Sequence, residues 1–99
     1  MEENMFIISL TYVKPLDAVD AELEQHIAYP DKYYAANKSI CSGRKNPRVG
    51  SAILCNAKTR DEVDQIIGED PFCRAGVAEY EITKFEPTKY AQGFEKFIA

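Results

Sequence analysis

Lys38-Ser39-Ile40-Cys41-Ser42-Gly43-Arg44-Lys45-Asn46-Pro47-Arg48-Val49-Gly50-Ser51-Ala52-Ile53-Leu54-Cys55-Asn56-Ala57 occupies the middle of a 99-residue chain. Two strand-like runs, Lys38–Lys45 and Gly50–Ala57, flank Asn46-Pro47 and Gly50, whose turn chemistry predicts a β-hairpin. On the N-terminal side, Met5-Phe6-Ile7-Ile8-Ser9-Leu10-Thr11-Tyr12 is β-branched and aromatic and reads as a strand buried on both faces. Pro15 ends that strand, and Asp17 is placed to cap a helix with an apolar stripe of Val19, Leu23, His26 and Ile27. Pro30 interrupts this helix, because its ring clashes with the carbonyl four residues earlier, that of His26. The pattern resumes through Tyr33, Tyr34 and Ala36, and Asn37 suits a left-handed terminus.

Beyond the hairpin, Thr59 and Glu62 form a capping box for a second helix with Val63, Ile66 and Ile67 on its buried face, ended by Gly68. Asp70-Pro71 opens a further turn, and Gly76 leads into a last strand, Val77–Phe85. A tail, Lys89–Ala99, reads as a short helix presenting Phe94, Phe97 and Ile98. The order is β-α-β-β-α-β, an α+β, ferredoxin-like split βαβ arrangement in one domain spanning residues 1–99, with its core over about 5–87. Right-handed crossovers place both helices on one face of a four-stranded antiparallel sheet. Ile7, Ser9, Thr11, Cys41, Ile53 and Cys55 are expected on the other face. An apolar open face calls for a partner, most simply a second copy related by a two-fold.

Apolar residues make up 45% of the chain and charged residues 28%, with a net charge of −4. These values fit an ordinary globular protein and argue against nucleic-acid or anionic-membrane partners, whose recognition needs clustered cations. A basic-Gly-aromatic signature of RNA-recognition domains is missing from Ser51-Ala52-Ile53-Leu54-Cys55. Arg44, Lys45 and Arg48 gather around the hairpin, either as a solvated loop or as a positive rim for an anionic small molecule. The longest charge-free apolar stretches, Met5–Val13 and Val49–Ala57, span nine residues each, short of the roughly 20 a membrane helix needs. Met1-Glu2-Glu3-Asn4 is acidic, unlike the start of a signal peptide, so a cytoplasmic location is expected. Cys41, Cys55 and Cys73 include no C-x-x-C pair, so neither structural zinc nor a disulfide framework is expected. Cys41 and Cys55 lie on neighbouring strands, where they either face each other or remain reduced core thiols.

His26 is the one histidine of the chain. Facing a carboxylate such as Asp70, an imidazole has its tautomer fixed and its basicity raised, the minimum apparatus of acid–base catalysis. The alternative is a core histidine satisfied by a carbonyl, with Asp70 capping a turn. Glu22 and His26 share a helical face, but two ligands without further His or Cys make no zinc site. Cys73 follows Asp70 closely and could act as a nucleophile, although no second base accompanies it.

The ordered set His26, Ser42-Gly43, Asp70-Pro71-Phe72 and Ala75-Gly76-Val77, with the Glu-rich strand Glu79-Tyr80-Glu81-Ile82, resembles the YciI-like (YCII-related) family over about Met5 to Pro87. The resemblance implies a ferredoxin-like protomer that dimerises through its sheet into an α+β barrel. It also implies a His–Asp pair at His26 and Asp70; the residues themselves carry no cofactor signature, and no cofactor is expected. The family's small-Gly-Pro step matches at Ser42-Gly43, but Arg44 stands where the family has Pro. Similarity to lyases and isomerases of this class implies proton transfer on a cyclic or aromatic metabolite. Tyr29, Tyr33, Pro71 and Phe72 would line the pocket, with Ser42, Gly43 and Arg44 contributing to substrate binding. A non-catalytic small-molecule-binding or sensing homodimer is the alternative. Neither G-x-G-x-x-G nor a P-loop is present.

Overall fold

In the computed structural model, residues 5–23, 30–35 and 38–97 are described. Strand β1 (Met5–Tyr12) leads to helix α1 (Leu16–Ala21), and helix α2 (Pro30–Ala35) precedes the hairpin β2 (Ser39–Arg44) and β3 (Gly50–Asn56). Helices α3 (Arg60–Gly68) and α4 (Pro71–Ala75) follow, then β4 (Ala78–Phe85) and a 3₁₀ turn (Phe94–Phe97). The sheet order is β2-β3-β1-β4, with every neighbouring pair antiparallel. This is the ferredoxin-like arrangement the alternation of elements implied.

The hairpin forms as expected, with Lys45 N–H closing on the Gly50 carbonyl at 2.8 Å. Gly50, however, is required for more than the turn. It is buried opposite Thr11, and a Cβ there would lie 1.8 Å from the Leu10 carbonyl oxygen. Only a residue without a side chain lets β3 approach β1 this closely.

Register decides which strand residues face the helices. Phe6, Ile8 and Leu10 are buried on β1, and they pair with Cys55, Ile53 and Ser51 of β3 and with Lys84, Ile82 and Tyr80 of β4. Ile53 and Cys55 therefore belong to the helix-facing side, not to the open side where sequence alternation had put them. Cys55 sits with Phe6, Ile8, Tyr33, Val63 and Ile66 in one core cluster, and Ile53 packs against it. A one-residue difference in phase moves a whole strand's side chains to the other face. The open face instead carries Ile7, Ser9 and Thr11 of β1, Leu54 and Ala52 of β3, and Glu79 and Glu81 of β4.

Cys41 pairs with Leu54 and is exposed, whereas Cys55 is buried, so these two thiols do not face each other. All three cysteines are free. Burial pushes the Cys55 thiol up to about 11, with Glu62 adding to the shift.

The helix ends also differ in detail. Pro15 occupies the N-cap of α1, and Asp17 lies inside the first turn, so the expected Asp17 cap does not form. Proline suits this place because the orphan N–H groups of a helix start need none from it. Thr59 caps α3 as expected, accepting the Glu62 N–H at 3.2 Å. The Glu62 carboxylate pairs with Lys38 at 2.8 Å. That ion pair joins α3 to the start of the hairpin. The tail turn is 3₁₀, with Phe94 and Phe97 ring centroids 5.6 Å apart. Ile98 lies outside the described residues.

Candidate functional site

Asp70 is the charged residue buried in the described core, at 1% exposure. It is the N-cap of α4, and its Oδ1 accepts the Phe72 N–H at 3.0 Å. Pro71 follows at the first helical position, where its missing N–H costs nothing. Gly76, at φ 69°, ends the helix in the left-handed region, and the Val77 N–H returns to the Phe72 carbonyl at 3.1 Å. Asp-Pro at one end and Gly at the other thus fold residues 70–77 into one rigid corner. Phe72 anchors it, packing with Leu10, Val19 and Val77 and meeting Tyr12 edge-to-face at 5.8 Å.

The second carboxylate oxygen of Asp70 accepts a hydrogen bond from the Tyr80 hydroxyl on β4. The capping role of Asp70 is therefore real, but it occupies one oxygen and leaves the other to the sheet. Next to it, Glu69 accepts from Lys32 Nζ at 2.6 Å and from the Tyr33 hydroxyl, both on α2. Lys32, then Tyr33, hold the Glu69 carboxyl below its ordinary range. Burial, reinforced by the Glu69 carboxylate, pushes the Tyr33 phenol well above its own. Two consecutive carboxylates are thus each met by a tyrosine hydroxyl, one from the helix layer and one from the sheet.

Helix α2 also reaches the opposite edge. Tyr34 hydrogen-bonds Ser42 Oγ at 2.7 Å, so consecutive tyrosines tie the Glu69 turn and the β2 strand to one helix. Ser42, Gly43 and Arg44 lie on β2, at one edge of the sheet, while Asp70 is bonded to β4 at the other. The three β2 residues, without Asp70, line an open groove of about 420 Å³ with Ile7, Cys41, Ala52, Ile53 and Leu54. Its lining is mostly apolar, with Arg44 at the rim. Lys45 instead donates to Thr11 Oγ1 at 3.1 Å, and Arg48 pairs with Asp20 at 2.5 Å. The three hairpin cations are therefore not a common rim.

Among the residues selected from sequence, Asp70, Pro71 and Phe72 share the α4 corner, and Ser42, Gly43 and Arg44 share the groove. Phe72 is a core residue at 1% exposure. His26 and Tyr29 lie outside the described residues, as does Ile27. The residue pattern did not point to Tyr80 or Glu69 as site residues, although Tyr80 falls in the Glu-rich run Glu79-Tyr80-Glu81. The signal was available: a tyrosine at a helix-facing strand position must satisfy its hydroxyl with a buried acceptor. Among the described residues, no group of His, Cys, Asp and Glu is arranged to hold a metal ion.

The family model for the YCII-related domain matches residues 5–86. The chain belongs to the YCII-related family. Among solved structures, this YCII-related domain is similar to the 5-chloro-2-hydroxyhydroquinone dehydrochlorinase of Burkholderia phenoliruptrix AC1100 in complex with 2,5-dihydroxybenzoquinone. The TM-score is 0.72 at 22% identity, with 83% of this chain and 93% of that one covered, so the likeness is one of fold. No curated protein matches the chain. No helix among the described residues is long and apolar enough to cross a membrane.

Proposed function

We propose that this YCII-related domain is a small-molecule enzyme of the lyase or isomerase type, moving a proton on a cyclic or aromatic metabolite with His26 and Asp70 as its acid–base pair. The observation that carries the reading is the Asp70 carboxylate. Burial of a carboxylate is costly unless donors meet it, and here a backbone amide and a tyrosine hydroxyl do so. A group held in this way is oriented and ready to stabilise an imidazolium. Neutral His26 takes a proton from the substrate, and Asp70 stabilises the resulting cation. The proton then returns to a second position in an isomerisation, or leaves together with an anion, such as a halide departing with its bonding pair, in an elimination. The fold neighbour's action on a chlorinated hydroquinone favours hydroxylated and halogenated rings as the first compounds to test.

The working form is taken to be a homodimer packed through the open sheet face. Ile7, on a central strand, is 41% exposed there, beside Leu54 in register. A second copy would cover this apolar area. Free thiols at all three cysteines suit the reducing cytoplasm as the place of action.

The test is turnover of hydroxylated, halogenated aromatics and lactones by the wild type, His26→Ala and Asp70→Asn, with melting temperature measured in parallel. Loss of about 10²–10⁴ in rate in folded His26→Ala is the expected result. Ligand-induced stabilisation without turnover of any compound would instead favour a binding or sensing dimer. Full activity in both folded variants would remove the dyad from the chemistry.

A further inference from the structure

Tyr80 stands on β4 opposite Leu10, and its half-buried side chain packs against both core clusters. Packing on both sides fixes where its hydroxyl can reach, and it reaches Asp70 Oδ2. The other oxygen is fixed by the Phe72 amide. Two rigid donors from different elements therefore set the plane of this carboxylate. A single cap bond, as at an ordinary helix start, would leave it free to rotate.

We propose that Tyr80 is a positioning residue of the Asp70 site, orienting the carboxylate and moderating the negative charge it presents to His26. This rests on the dyad reading above and deepens it. An imidazole beside an unshared buried carboxylate is driven towards imidazolium, and an imidazolium is not a base at neutral pH. Hydrogen bonds donated to the carboxylate draw off part of its charge and keep more of the imidazole neutral. Among the described residues, the neighbouring charges lie outside the Tyr80–Asp70 contact: Glu69 is held by Lys32 and Tyr33, and Arg74 is exposed at the end of α4. Glu79 and Glu81 flank Tyr80 on the strand and therefore point to the opposite face of the sheet.

The experiment is an NMR titration of the His26 ring, which needs no assignment because the chain has one histidine. It is run on the wild type, Tyr80→Phe, Asp70→Asn and protein carrying 3-fluorotyrosine at position 80 alone, whose phenol is a stronger donor. Tyr80→Phe is expected to raise the midpoint by about half a pH unit, roughly a threefold change in protonation. Fluorotyrosine is expected to lower it, as is Asp70→Asn. If Asp70→Asn lowers the midpoint while Tyr80→Phe and fluorotyrosine both leave it in place, Tyr80 is a packing residue and the proposal is overturned with the dyad intact. A midpoint indifferent to Asp70→Asn overturns the dyad and this role together. Should Tyr80→Phe fail to fold, the protein with 3-fluorotyrosine at position 80 decides by itself, because the ring there keeps its shape.

Discussion

The Glu69–Asp70 turn joins α3 to α4 and is gripped from two sides, whereas β2 lies at the rim of the sheet with Cys41 through Arg44 exposed. Both regions carry polar and charged residues suited to binding. They differ in what fixes them. A buried carboxylate must have partners, so the turn has one geometry, set by Tyr33, Tyr80 and the Phe72 amide. The edge strand meets water, and the groove beside it is open. The turn therefore presents its carboxylate at fixed angles. The edge is the place where a side chain such as Arg44 can change without disturbing that geometry.

The largest effect is expected where the hairpin that carries the edge strand meets β1. Gly50→Ala forces a methyl into the Leu10 carbonyl and pushes the hairpin off β1. A loss of about 3 kcal/mol or more is expected in chemical denaturation. A variant of wild-type stability would mean that the strands are not packed this closely.

Next comes the contrast between turn and edge. Asp70→Ala leaves the Phe72 N–H and the Tyr80 hydroxyl without this acceptor and should cost about 2–3 kcal/mol. Arg44→Ala, on the exposed strand, should stay within about 0.5 kcal/mol. Equal losses at the two sites, measured by the same denaturation, would erase the distinction.

The open face supplies a third comparison. Ile7→Glu should split the proposed dimer in light scattering while leaving a folded protomer, since Ile7 is already partly exposed. Ile53→Glu should unfold the protomer itself, because Ile53 packs against the helix-facing core. A dimer that survives Ile7→Glu would have to use another surface.

The effects of pH come last, because they vanish in the neutral range and show only towards its acid and alkaline ends. The Cys55 thiol is raised in the fold, so its contribution is complete below the ordinary thiol value of 9.0 and is lost as pH climbs towards about 11. The slope is about 1.4 kcal/mol per pH unit across that window. Cys55→Ala should flatten this alkaline decline in urea denaturation curves. Glu69 has the opposite sign: its lowered value stabilises above the ordinary carboxyl range, and that contribution is lost as pH falls through the folded value. Glu69→Gln should remove that acid-side dependence, and little else, because the ion pair with Lys32 is largely exposed.

The order of elements was legible in the residues because periodicity, caps and turn chemistry are local. Thr59, the Asp-Pro step, Gly76 and the hairpin signals each act within a few residues, and each appears in the fold where the chain placed it. The Asp17 cap failed because Pro15, two residues earlier, already starts the helix. The face of β3 was not legible. Its alternation fits two phases equally well, and pairing with β1, held by the close approach at Gly50, selects one. Tyr80 and Asp70 are ten positions apart, on a strand and a helix start, and neither residue type names the other. The sequence by itself thus determined the alternation of strands and helices and the residue types available for chemistry. Only the tertiary structure decided the sheet face of each side chain and the partners of each buried polar group, because register and burial are set by contacts between segments distant along the chain.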